Sequence, residues 1–107
     1  MKIGILGISG RVATRVMREA LNRGHEVVGI DHVKGPNVDD AVDFHQLDME
    51  DVDGIAQAIR GCDAYIFTVI PVLKGVDKIT HVVQCGIDAC KKAGVPRMIY
   101  VCGGVSS

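Results

Sequence analysis

Short apolar runs alternate along this chain with longer segments in which apolar residues recur at helical spacing. Lys2 to Leu6 is the first run, a β-branched strand ending at glycine, and from Gly10 to Asn22 the apolar positions Val12, Val16, Met17, Ala20 and Leu21 form one helical stripe. Arg11, Arg15, Arg18 and Glu19 mark its polar side, and Asn22-Arg23-Gly24 supplies a stop. Glu26 to Ile30 predicts a second strand closed by Asp31, followed by a loop at Lys34-Gly35-Pro36-Asn37. Val42 to Leu47 predicts a short third strand. Asp48 is then placed to cap a helix with the stripe Val52, Ile55, Ala56 and Ile59, closed by Gly61. Ala64 to Ile70 predicts a fourth strand stopped by Pro71, Val76 to Ala93 a third helix, and Arg97 to Cys102 a fifth strand.

Strands alternating with helices through short connections predict an α/β fold, a three-layer, doubly wound parallel sheet of the Rossmann type with strand order 3-2-1-4-5. In that order the winding reverses between strands one and four. A crevice for ligands opens there, at the carboxyl ends of the strands.

Composition narrows the picture. At 107 residues and 48% hydrophobic content the chain suits one domain, and 12 basic against 13 acidic residues leave a net charge of -1. Such a balance gives no field to draw in nucleic acid or an anionic membrane, so the Arg11, Arg15, Arg18 stripe reads as a solvated helix face. No apolar stretch has the length of a membrane span or a signal-peptide core, which makes the cytoplasm the expected location. Cys62 and Cys102 fall at strand-like positions and Cys85 and Cys90 on one helical segment; without a CxxC pair they read as reduced structural thiols. His81 and Cys85 share a helix face but lack further ligands at zinc spacing, so no metal site is expected.

The candidate chemistry lies in the turn Gly7-Ile8-Ser9-Gly10-Arg11-Val12-Ala13, between a buried strand and a helix. There the first helical amides point towards an anion, for which a diphosphate is the natural guest. Gly7 permits the tight turn, Gly10 lets the backbone approach the diphosphate, and small Ala13 lets helix and strand pack. Asp31, at the end of strand two, is placed to accept hydrogen bonds from ribose hydroxyls and to repel a 2′-phosphate, favouring NAD. Arg11, His32 and Lys34 favour NADP instead. Asp48 and Met49, after strand three, suit an adenine amine and the face of its ring. Thr68, Val69 and Ile70 end strand four across the crevice, bordering the ribose and nicotinamide positions. The expected cofactor set is therefore Gly7, Ile8, Ser9, Gly10, Arg11, Val12, Asp31, His32, Asp48, Met49, Thr68, Val69 and Ile70, with NAD slightly preferred to NADP. A hydroxyl of Gly103-Gly104-Val105-Ser106-Ser107 can also approach the nicotinamide or a substrate.

The segments Lys2-Ile3-Gly4-Ile5-Leu6-Gly7-Ile8-Ser9-Gly10-Arg11, Leu47-Asp48 and Tyr100-Val101-Cys102-Gly103-Gly104-Val105-Ser106 resemble the atypical short-chain dehydrogenase/reductase superfamily. The similarity is to its NAD(P)H-binding, NmrA-like and NADH-flavin-reductase-like branch. That resemblance implies a dinucleotide site and hydride transfer to a flavin, a quinone or another small acceptor. A non-catalytic dinucleotide-binding or redox-sensing module, a ligand-free remnant and a nucleotide-sugar epimerase/dehydratase-like fragment are the other readings. Two departures stand out. The family normally continues past the fifth strand with a substrate-binding part that these 107 residues lack. Neither Tyr65 nor Tyr100 begins a Tyr-x-x-x-Lys pair, so no acid/base pair is assigned and the catalytic residues stay unknown. An unpaired fifth strand predicts a homo-oligomer formed through that strand or the Val76 to Ala93 helix.

Overall fold

The computed structural model describes residues 1–67 and 76–100. In chain order its elements are β1 (Lys2–Leu6), α1 (Arg11–Asn22), β2 (Glu26–Asp31), β3 (Asp43–Gln46), α2 (Val52–Ile59), β4 (Ala64–Phe67), α3 (Val76–Ala93) and β5 (Met98–Tyr100). The strands form one sheet in the order β3-β2-β1-β4-β5, and every neighbouring pair is parallel. The expected 3-2-1-4-5 order is what the chain adopts. β1 lies in the middle, with Leu6 opposite Ile30 of β2 and Phe67 of β4, so three strand ends reach the same level beneath the first glycine turn.

Successive side chains of a strand point to opposite faces, and the core divides accordingly. Ile5, Val27 and Ile66 join Ala13, Met17 and Ala20 of α1 on one face. Leu6, Val28 and Phe67 join Ile55 and Ile59 of α2 and Val82 and Ala89 of α3 on the other. Two strand glycines permit these layers to close. A Cβ at Gly4 would come within 2.9 Å of the Ile59 Cγ2, and one at Gly29 within 2.9 Å of both Ile8 and Val42. α1 stops where Gly24 takes φ 83°: the His25 N–H donates to Ala20 O and the Gly24 N–H to Leu21 O, a Schellman closure.

Two details differ from the sequence reading. Asp48 does not cap α2. The N-cap is Asp51, whose Oδ1 accepts from the Gly54 N–H at 3.0 Å, while Asp48 Oδ1 accepts from the Glu50 N–H at 2.8 Å and forms a turn ahead of the helix. Both positions carry the short carboxylate a cap requires, and the one followed directly by the apolar stripe takes the role. Cys62 lies in the connection before β4 rather than in a strand, yet it is buried, as are Cys85 and Cys90, and all three thiols are free. Thr68, Val69, Ile70, Pro71, Cys102 and the Gly103 to Ser107 segment lie outside the described residues. Among those described, no helix is long and apolar enough to cross a membrane.

Candidate functional site

At the end of β1 the chain turns sharply over the end of β2. Gly7 adopts φ 80°, a conformation natural to glycine, and its N–H donates to Ile30 O at 2.7 Å. The Ile8 N–H reaches the same carbonyl at 3.3 Å, and its side chain is fully buried in the core beneath α1. Gly10, extended at φ -74°, then caps α1 without any side-chain hydrogen bond, and the first turn of the helix carries no acidic residue. The helical ladder begins where the Thr14 N–H bonds to Gly10 O at 2.9 Å, so the amides of Arg11, Val12 and Ala13 precede it. Their donors and the helix dipole leave a partial positive charge at this end that no acidic side chain of that turn offsets. A Cβ on Gly10 would stand 3.3 Å from Gly7 O.

Beside this turn lies the Asp31 carboxylate, its side chain only 11% exposed. Oδ2 accepts from the Ser9 N–H at 3.1 Å, and Oδ1 accepts from the His32 N–H at 2.7 Å with His32 Nδ1 at 2.8 Å. Ser9 fixes the next stretch as well. Its hydroxyl donates to Val33 O at 2.9 Å and accepts from the Gly35 N–H at 2.8 Å, tying the glycine turn to the segment after β2. Gly35 makes this approach possible, since a Cβ there would meet the Ser9 Cβ at 2.9 Å.

These residues border a cleft of about 320 Å³. Asp31, His32 and Asp48 give it polar groups, Leu6, Leu47 and Met49 apolar ones, and Gly7 also lines it. The Leu47 N–H donates to Asp31 O at 3.0 Å, which holds the end of β3 against that of β2. The structure thus brings Gly7, Asp31, His32, Asp48 and Met49 together at one cleft, with Ser9, Gly10, Arg11 and Val12 in the adjoining turn and first helical residues. Thr68, Val69 and Ile70 lie outside the described residues. Lys34 stands with its Nζ 6.0 Å from the centre of the Phe44 ring. Sequence reasoning missed Leu6 and Leu47, whose signal was their position next to Gly7 and Asp48 at strand ends.

Other reactive groups are set apart from this chemistry. Tyr65 is fully buried, its hydroxyl has no hydrogen-bond partner, and burial pushes that hydroxyl far above the usual phenol range. Burial also raises the Cys62 and Cys85 thiols and pushes Cys90 up to about 11, so the thiolate form is disfavoured. His81 Nε2 lies 3.8 Å from Cys85 Sγ and 3.7 Å from Glu50 Oε2, and no group of three or more metal-ligating side chains gathers among the described residues.

Known proteins share this architecture. A candidate exported protein from Burkholderia pseudomallei superposes with a TM-score of 0.77 at 28% identity, over 94% of this chain and 46% of that one. A candidate epimerase from Bacteroides thetaiotaomicron gives 0.75 at 30% identity, over 92% and 45%. Thermus thermophilus UDP-glucose 4-epimerase, solved as a complex with NAD, gives 0.77 at 21% identity over 92% and 36%, a likeness of fold. The chain spans less than half the length of these three proteins. No curated protein matches the sequence. The profile of one family, described as NAD(P)H-binding, matches residues 7–106, nearly the whole chain, and it agrees with the glycine turn, the β2 carboxylate and the parallel sheet: the chain belongs to the NAD(P)H-binding family.

Proposed function

We propose that this chain holds a nicotinamide dinucleotide, NAD in preference to NADP, with the diphosphate on the first turn of α1 and the adenosine in the cleft beside Asp31. One observation carries the reading: an uncapped helix N-terminus without acidic residues adjoins a cleft that presents a nearly buried carboxylate. The residues fit the group. Gly10 leaves open the space a Cβ would fill, and the Arg11, Val12 and Ala13 amides supply donors for phosphate oxygens. Asp31 is placed to accept from ribose hydroxyls with the lone pairs its present partners leave over. Asp48 and Met49 border the adenine, and Leu6 and Leu47 exclude water from it. A volume of about 320 Å³ suits the adenosine portion rather than the whole dinucleotide.

Bound there, the nicotinamide would supply hydride transfer to a flavin, a quinone or another small acceptor. The chain's own part is to bind and orient the cofactor. The exposed Ile99 lies on β5, which pairs with β4 on one side, and self-association through β5 or α3 accompanies this reading. Calorimetric titration with NAD⁺ and NADP⁺ tests it: saturable binding with NAD⁺ the tighter ligand is expected, and no binding of either would refute it.

A further inference from the structure

We propose that a second copy of this chain docks on the flank of α1 that overlooks β4 and β5, closing a two-fold dimer in which Arg15 of each copy meets Glu19 of the other. The inference makes no use of the dinucleotide site. It rests on the self-association reading above and gives it a defined surface and a charge pattern.

The open face follows from the topology. A right-handed crossover sets α1 over β1 and β2, while α2 and α3 pack on the opposite side of the sheet. Ile5, Ile66 and Ile99 are register partners across β1, β4 and β5, so all three point to the α1 side. Cover runs out along that row: Ile5 is 0% exposed, Ile66 7% and Ile99 43%. The same right-handed winding turns the flank of α1 that carries Val16 and Ala20 towards β4 and away from β2. On that flank lies a groove of about 420 Å³, with Ile3, Val16 and Ala20 as its apolar lining. Groove and strand row together make one apolar surface of the kind that receives another protein.

The rim of the groove identifies the partner. Arg15, Glu19 and Arg23 border it at intervals of four residues, one above another on the helix. Arg23 Nε donates to Glu19 Oε1 at 2.7 Å, which leaves Glu19 Oε2 able to accept. Arg15 is exposed and has no hydrogen bond or ion pair with another described residue. A two-fold axis makes every contact twice, residue i on j and j on i. Set between Arg15 and Glu19 and perpendicular to α1, it lays the two helices antiparallel and gives each unpaired Arg15 the Glu19 of the other copy. The charge pattern is therefore complementary to itself. Small Val16 and Ala20 let the helices come close, and the helix of the second copy, lying on the β4 side of α1, covers Ile99. Such an isologous contact closes at two copies.

Sedimentation equilibrium of the full chain over a concentration series tests this. The native chain should show a monomer–dimer equilibrium that stops at two copies and weakens with added salt. Arg15→Glu sets like charges against each other twice and should raise the dimer Kd by about tenfold or more, and Ile99→Asp should do the same. The double variant Arg15→Glu with Glu19→Arg restores the pairs with their signs exchanged, and its Kd should return to within about threefold of the native value. All three positions are exposed, and circular dichroism verifies that the variants stay folded. A native dimer indifferent to Arg15→Glu, a double variant no tighter than Arg15→Glu alone, or assembly beyond two copies would overturn this interface while self-association itself stood. A native chain monomeric at every concentration would overturn both, and neither result bears on the NAD⁺ titration.

Discussion

Replacing Gly10 by valine separates binding from folding. Gly10 sits at φ -74°, which any L residue adopts, so the substitution imposes no left-handed strain. Its Cβ would meet only Gly7 O, at 3.3 Å, a contact relieved by a shift of a few tenths of an ångström. Valine is a poorer N-cap than glycine, and a stability loss of about 1 kcal/mol follows, a fall in Tm of about 4–8 °C for a domain this size. Binding suffers far more. The branched side chain occupies the space through which a diphosphate reaches the α1 amides, and each charge-assisted hydrogen bond lost is worth about 1.5–3 kcal/mol. Loss of one or two such bonds predicts a weakening of roughly tenfold to about twenty-thousandfold. Calorimetric titration with NAD⁺ beside a circular-dichroism melt reads both quantities. An affinity within about threefold of the native value, in a folded variant, would refute the diphosphate placement.

Three further outcomes are expected. Gly4→Val should lower stability by about 1–3 kcal/mol in thermal melts, because its Cβ would press on Ile59 Cγ2 at 2.9 Å; an unchanged Tm would contradict the close packing of α2 on β1. Alkali should destabilise the fold. Burial raises the Cys90 thiol from 9.0 to about 11, and Tyr65 is raised too, so the folded state holds these protons more tightly than the unfolded one. The stability they contribute is therefore full below pH 9 and is lost as pH climbs towards 11, and a Tm that rises over that interval would reverse the assignment. Light scattering during size-exclusion chromatography should find a mass above the 11.4 kDa of one chain, and a monomer at high concentration would remove the self-association reading.

Much of this fold is legible in the residue pattern, because burial follows periodicity. β1 at Lys2–Leu6 and α3 at Val76–Ala93 occur where their apolar spacing places them, and alternation of strands with helices was enough to imply the 3-2-1-4-5 sheet. What the pattern left open depends on groups distant in sequence. The sequence reading placed Asp48 as the cap of α2, whereas Asp51, three residues later, takes the role and accepts from the Gly54 N–H. Cys62 reads as strand because burial alone does not distinguish a strand from a buried connection. At the cleft, the glycine turn and Asp31 were visible as a motif. The grip of Ser9 on Asp31, Val33 and Gly35 was not, since those contacts exist only once β1 and β2 lie side by side.

Amide resonances report directly on the claim that main-chain donors at the start of α1 capture the diphosphate. In a ¹⁵N-labelled sample titrated with NAD⁺, the Arg11, Val12 and Ala13 amides should shift in a saturable way, together with Asp31 and its neighbours, while the amides of β5 at the far sheet edge stay in place. Saturable binding that leaves those three amides unmoved would contradict the account.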